Sequence, residues 1–270
     1  MADATTARSA AFFDLDRTLI SGASAFAFGL AAWRTKMVPG RELLGDGLSA
    51  LVFRLTGGSD ARSEATRDRI LAAVAGQRVE DLETLGDLVV PRLLDKVRPE
   101  ARSLLDMHAN AGRHRYIVSA SPVELISRLA DALGLEGGIG TVSEIVDGCY
   151  TGQLAAPFCY GPGKAEGIEK IAAERGYDLQ LSYAYSDSSS DLPMLELVGH
   201  PVAVNPDRAL EEIAHQRGWP IIIFSRRTKQ VVRTTTALSS AAGIALGTYA
   251  IGRRHGRIST EAALLRSLER

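Results

Sequence analysis

Apolar residues in this chain fall into short runs that end in small or acidic residues, and helical stretches separate the runs. Residues 10–13 read Ala-Ala-Phe-Phe, the pattern of a fully buried strand, and run straight into Asp14-Leu15-Asp16-Arg17-Thr18. A second run, 115–118, ends in Ser119-Ala120-Ser121-Pro122, and a third, 181–185, ends in Ser186-Asp187-Ser188-Ser189-Ser190-Asp191. Short strands are also predicted at 201–204 and 220–224. Pro99 and Gly112 bracket a helix. Ser121 as N-cap, Pro122 at the first helical position and Glu124 as a capping box open another. Gly161-Pro162-Gly163-Lys164 opens a third helix, to Gly176. Asn205 and Pro206 open a fourth, ending near Gly218. Between 137 and 155, Asp147-Gly148 flanked by β-prone residues predicts a hairpin. Strands alternating with helices predict an α/β fold, a doubly wound parallel Rossmann-like sheet.

One stretch breaks the alternation. Residues 21–98 hold no alternating strand pattern; 23–33, 61–75 and 79–97 carry helical spacing, interrupted by Gly57-Gly58-Ser59-Asp60. An insertion of this size straight after the first strand is too large for a loop and reads as a helical lid or cap. The expected organisation is a disordered 1–9, a catalytic core formed by 10–20 and 99–224, a cap at 21–98, and a tail at 225–270.

The 270 residues, 46% of them hydrophobic, suffice for one large core or a core with a smaller domain. A net charge of −1 points to no nucleic-acid partner. The charge is uneven: residues 225–270 carry a net +7 and the rest −8. Cys149 and Cys159 form no disulfide framework and read as packing residues in a reduced, cytoplasmic setting. Residues 1–9 are polar and no secretory signal is recognised. Within the tail, 236–252 is an uncharged run of mostly small residues between Arg226, Arg227, Lys229 and Arg233 on one side and Arg253, Arg254 and Arg257 on the other. Two readings stay open: a helix docked on the core or on another subunit, and a helix associating with an anionic membrane.

The polar ends of the runs carry the chemistry. Ligands collect at the carboxyl ends of strands in such sheets, which is where Asp14 falls. Asp16, one residue on, can return over the same pocket, and two close carboxylates push their pKa values apart, so that one stays ionised while the other holds a proton. Ser119 lies between a strand and a helix N-terminus, a place that favours an anion. Asp187 and Asp191 form a second acidic pair after a later strand. A carboxylate nucleophile and a phosphate dianion repel each other; a divalent cation held by carboxylates, the Lys164 ammonium and hydroxyl or N–H donors would cancel that repulsion. The set makes a coherent phosphoryl-transfer site.

Asp14-Leu15-Asp16-Arg17-Thr18, Ser119, Lys164 and Asp187 with Asp191 resemble, in order, the four motifs of the haloacid dehalogenase superfamily. The insertion resembles the C1 helical cap of its phosphoserine-phosphatase-like branch (subfamily IB). The resemblance covers residues 10–224. It implies Asp14 as nucleophile and Asp16 as general acid and then base. Ser119 and the Ala120 N–H would grip the phosphoryl group, with Lys164 neutralising charge. Mg²⁺ would be held by Asp14, the Asp16 carbonyl and Asp187, with Asp191 and Thr18 behind these contacts. An acid at Asp16 argues against dehalogenation, because an oxygen leaving group needs a proton. The implied activity is Mg²⁺-dependent hydrolysis of a small organic phosphomonoester through an aspartyl-phosphate, with phosphoserine the first candidate. Two alternatives remain: a lipid-related phosphate substrate at the membrane, and a catalytically silent binding module with the same fold. The chain departs from the phosphoserine pattern at Ala120-Ser121, where Gly-Gly is usual, and at Ser186 and Ser188, where glycines are usual. In the cap, Glu42, Arg54 and Arg62 are candidate substrate contacts that read first as solvated helix residues.

Overall fold

The computed structural model describes residues 8–24, 27, 67–68, 70–72 and 74–224. Most of the expected helices at 23–33 and 61–75, the cap candidates Glu42, Arg54 and Arg62, and every reading of the tail lie outside the described residues.

Strand β1 (Ala10–Asp14) is buried along its whole length and is central to a six-stranded sheet. Its neighbours are β2 (His114–Pro122) and β6 (Tyr183–Ser186). Strand β3 (Gly137–Thr141) lies outside β2; β7 (His200–Val204) and β8 (Ile221–Ile222) lie outside β6. All five pairings are parallel, so the doubly wound sheet expected from the alternation is present. The chain winds outward from β1 in one direction through β2 and β3, and in the other through β6, β7 and β8. The switch point therefore sits at β1, where sheets of this kind open a crevice beyond their carboxyl ends.

Helices cover both faces. Phe12, Tyr116, Val118 and Ala184 pack on one side with Ile168 and Ala172 of α4 (Pro162–Arg175), Met194 and Leu195 of α5 (Leu192–Leu197), and Leu210 and Ala214 of α6 (Arg208–Arg217). On the other side His108 of α2 (Pro99–Asn110) meets the rings of Phe13, Tyr183 and Tyr185, and the last two rings stand on β6. Helix α1 (Val79–Leu94) packs on α3 (Val123–Ala132), where Gly86 lets the Arg128 side chain lie close and pair with Asp87.

The ends of the stretch read as a cap are paired with each other. Ile20 and Val97 form an antiparallel bridge, the Ser21 N–H donates to the Lys96 carbonyl at 2.9 Å, and the Arg98 N–H donates to that of Leu19 at 2.9 Å. The hairpin of β4 (Ser143–Val146) and β5 (Cys149–Leu154) turns through Asp147 and Gly148, both at positive φ (50° and 77°), as a primed two-residue turn requires. Its β5 strand holds residues 76–79: Gly76 and Val79 donate to the Tyr150 and Gly148 carbonyls, and Tyr150 donates to that of Gln77.

Several boundaries differ from expectation, each for a local reason. Arg8 and Ser9, at the end of the segment expected disordered, are paired: Arg8 bridges Tyr177 and the Ser9 carbonyl accepts from the His114 N–H; residues 1–7 lie outside the described residues. Strand β2 runs on to Pro122, and α3 starts at Val123 with no side-chain cap. Asp207, not Asn205, caps α6, accepting from the Leu210 N–H at 2.8 Å. Asn205 sits at φ 45°, and its side chain accepts from the Phe224 N–H. Leu181 belongs to a 3₁₀ turn, Leu179–Leu181, so β6 begins two residues later than the apolar run.

His108 makes a testable contribution to stability. It is fully buried, with Nε2 and the Tyr185 hydroxyl sharing a hydrogen bond at 2.7 Å. Burial, with the charges of Arg113 and Arg115, lowers its pKa from 6.5 to about 3. The folded state therefore resists protonation while the unfolded chain accepts a proton. The associated stability is present above pH 6.5 and is lost as pH falls towards 3, by about 2 kcal/mol at pH 5. His108→Phe should lower stability at neutral pH by ~1–3 kcal/mol by stranding the Tyr185 hydroxyl. It should also flatten the fall in stability between pH 6.5 and 5, measured by urea melts at each pH. An unchanged pH slope would remove His108 as its source.

Candidate active site

The sheet register brings three sequence-distant segments to one place. Asp14 is level with Val118, so Ser119 lies one residue further on the neighbouring strand. Phe13 is level with Tyr185, so Ser186 and then Asp187 follow on the other side. Asp14, Ser119 and Asp187 thus share the carboxyl edge of three adjacent strands, and all three are buried.

Lys164 joins them from α4. Gly161, at φ 52°, turns the chain, and Gly163 lies so close to the Phe158 carbonyl that a Cβ would stand 1.9 Å from its oxygen. Only glycine fits there, and the tight approach helps place Lys164 over the strand ends. Its side chain is buried rather than solvated. Nζ donates to Asp14 Oδ1 at 2.6 Å and to Asp191 Oδ2 at 2.8 Å. Burial alone would lower the lysine pKa, but the two carboxylates outweigh it and raise the value, keeping the ammonium protonated. Asp191 Oδ2 also accepts from Ser186 Oγ at 2.6 Å. A chain of contacts therefore runs from Ser186 through Asp191 and Lys164 to Asp14.

Negative charge is in excess. Asp14 is pushed well above its ordinary pKa by burial, opposed by Lys164 and reinforced by Asp191, Asp187 and Asp16. Asp187 is pushed up to about 7 by burial, opposed by Arg17 and reinforced by Asp191. Arg17 Nε lies 2.9 Å from Asp187 Oδ2, within ion-pair range but not aligned as a hydrogen bond, so that buried oxygen has no hydrogen-bond donor. The arginine side chain is 60% exposed, which limits what the pair contributes. Asp191 Oδ1 and Thr18 Oγ1 are likewise buried without a hydrogen-bond partner.

Asp16 is half-buried and its carboxyl is held by Ser24, whose N–H donates to Oδ1 at 2.6 Å and whose Oγ donates to Oδ2 at 3.1 Å. Burial raises its pKa against those two hydrogen bonds. On β2, Ser119 Oγ accepts from the Ser121 N–H at 3.2 Å, and the Ala120 carbonyl accepts from Thr141 Oγ1 at 2.7 Å. Cys159 lies nearby, but burial pushes its thiol up to about 11, which suits packing. Among the described residues, no group of three or more His, Cys, Asp or Glu side chains forms a ready metal cage.

Sequence reading missed four residues of this neighbourhood. Ser24, Ser186 and Arg17 contact the acids directly. Asp207 holds the loop after β6, accepting from Ser189 N–H and Oγ at 2.9 and 3.1 Å while its own N–H donates to the Asp187 carbonyl at 2.7 Å. Ser121, expected as a helix cap, instead faces Ser24.

The structure thus gathers acids and a lysine at the switch point of a parallel α/β sheet. The family model for haloacid dehalogenase-like hydrolase matches residues 11–196, and the chain belongs to that family. Within it the chain is a phosphatase. It is 38% identical over 258 residues to a probable phosphatase of Mycobacterium tuberculosis, covering 92% of this chain and 88% of the relative. It is also 38% identical over 252 residues to a phosphoserine phosphatase of the same organism, covering 92% and 82%. A crystal structure of a protein of unknown function from Bordetella pertussis Tohama I superposes with a TM-score of 0.71 at 29% identity, over 80% of this chain and 99% of that one.

Proposed function

We propose that this phosphatase hydrolyses a small organic phosphomonoester through a covalent phosphoryl group on Asp14, with Mg²⁺ as cofactor. The observation that carries the reading is the buried Lys164 ammonium bonded to both Asp14 and Asp191 at the end of the central strand. That contact leaves Asp14 Oδ2 free of the lysine and therefore available to attack.

The chemistry then follows in two balanced steps. Asp14 forms a bond to phosphorus as the ester P–O bond breaks, and Asp16 gives its proton to the departing alkoxide, releasing the alcohol. Water next attacks phosphorus while Asp16 takes back a proton, and the bond to Asp14 breaks to give inorganic phosphate and the free carboxylate. Ser119 Oγ and the Ala120 N–H hold the phosphoryl oxygens, and Lys164 neutralises charge between them and Asp14.

The donor set suits a hard divalent cation. Two acids crowded enough to have raised pKa values, one with an oxygen lacking a hydrogen-bond donor, would gain from it. Asp14, Asp187 and the Asp16 carbonyl would hold it, with Asp191 and Thr18 behind them. When bound it supplies positive charge for the phosphate dianion. The insertion at 21–98 is read as the cap that admits substrate. Phosphoserine is the first substrate to test, because a 38%-identical relative bears the name phosphoserine phosphatase.

Turnover of p-nitrophenyl phosphate should require Mg²⁺ and disappear in excess EDTA; undiminished turnover in EDTA would count against the cofactor. In Mg²⁺ titrations Asp187→Ala should lose metal affinity most, whereas Asp191→Asn should weaken it ~10–100-fold, as outer-shell changes do. Wild-type affinity in Asp187→Ala would remove it from the ligand set.

A further inference from the structure

The transfer of a proton to the leaving oxygen asks Asp16 to keep its carboxyl in one orientation, yet Asp16 is only half-buried and sits in the loop that follows β1. Two serines meet that need. Ser24, itself 1% exposed, engages both carboxyl oxygens, through its N–H at 2.6 Å and its hydroxyl at 3.1 Å. The same hydroxyl lies 3.2 Å from Ser121 Oγ. Ser121 is on β2, two residues beyond Ser119, and its N–H is already committed to Ser119 Oγ.

A hydroxyl has a single proton to donate. If Ser24 Oγ gives its proton to the Asp16 carboxylate, the hydrogen bond with Ser121 must be donated by Ser121. The order Ser121 to Ser24 to Asp16 is thereby set. The relay also fastens the chain at the start of the insertion to the strand that carries Ser119.

We propose that Ser24 and Ser121 are positioning residues that hold the Asp16 carboxyl in line for proton transfer to the leaving group. This rests on the reading of Asp16 as the general acid.

The test compares two substrates of nearly the same shape. p-Nitrophenolate departs readily without a proton, whereas the phenolate of phenyl phosphate, whose conjugate acid has a pKa of about 10, depends far more on one. Ser24→Ala removes only the hydroxyl and keeps the N–H contact. It should lower kcat/KM on phenyl phosphate by about 10-fold relative to kcat/KM on p-nitrophenyl phosphate, a part of the ~10²–10⁴-fold that general acids contribute; kcat/KM reports phosphoryl transfer to Asp14 and not the later attack of water, in which Asp16 also takes part. Ser121→Ala should move the ratio less, in the same direction. Because the readout is a ratio, a reduced fraction of folded enzyme does not alter it. In an Asp16→Asn background, Ser24→Ala should change the ratio no further.

Equal loss on both substrates in Ser24→Ala, while Asp16→Asn still discriminates between them, would overturn the positioning role and leave the acid role standing. Equal loss in Asp16→Asn itself would overturn both. An unchanged ratio in Ser121→Ala would remove Ser121 from the relay.

Discussion

Asp14→Asn should abolish turnover, lowering kcat on the order of 10⁴–10⁶-fold, as loss of a catalytic nucleophile does elsewhere. The carboxamide has nearly the size and shape of the carboxylate, and its oxygen can still accept from Lys164 Nζ. It cannot form a stable bond to phosphorus. The fold should survive, because substitution withdraws one of four acids crowded into the same site. A thermal midpoint equal to or above that of the wild type, with no phosphate release, is the expected pair of results. Substantial residual turnover would end the covalent route through Asp14.

Lys164→Met should reduce both activity and stability. The ammonium lies between Asp14 and Asp191 and is as buried as they are. Removing it leaves two buried carboxylates facing each other, and breaking one side of a buried ion pair typically costs ~3–5 kcal/mol. Adding Asp191→Asn should recover part of that loss, since one uncompensated charge is gone; the two changes should be strongly non-additive in urea melts. Lys164→Arg should rescue poorly, because a planar guanidinium does not fit a point-charge site closed by Gly163 against Phe158. Simple additivity between Lys164→Met and Asp191→Asn would mean that the lysine does not hold the two acids together.

The sheet was legible because buried parallel strands are short, apolar and end abruptly in polar residues. That abrupt ending is what exposed Asp14, Ser119 and Asp187 as neighbours before their register was known. Lys164 carried no such signal, since a lysine at a helix start reads as solvated; only the ordered set of motifs singled it out. Its burial depends on Gly161 and Gly163, and that close approach is invisible in composition. The misread boundaries share a cause. Ser121-Pro122 and Asn205-Pro206 match local capping preferences, but tertiary partners claimed their side chains and backbone, Ser24 in one case and Phe224 in the other. Ser24 gave no signal because a lone serine has no characteristic spacing, and Ser186 stood out only as a departure from glycine, not as a donor to Asp191. Their part becomes visible only when Asp16 and Asp191 are seen to accept from them.

The central claim is that the phosphoryl group passes through Asp14, and trapping it tests that claim most directly. The Asp16→Asn variant, in which water activation is impaired, would be mixed with p-nitrophenyl phosphate and Mg²⁺ and quenched in acid during turnover. Peptide mass spectrometry would then locate any added phosphoryl group. The account predicts one phosphoryl group on the peptide spanning residues 10–20, placed on Asp14 by fragmentation and absent from an Asp14→Asn/Asp16→Asn control. A phosphoryl group on any other residue, or an unmodified Asp14 peptide in Asp16→Asn enzyme that has released a stoichiometric burst of p-nitrophenol, would contradict it.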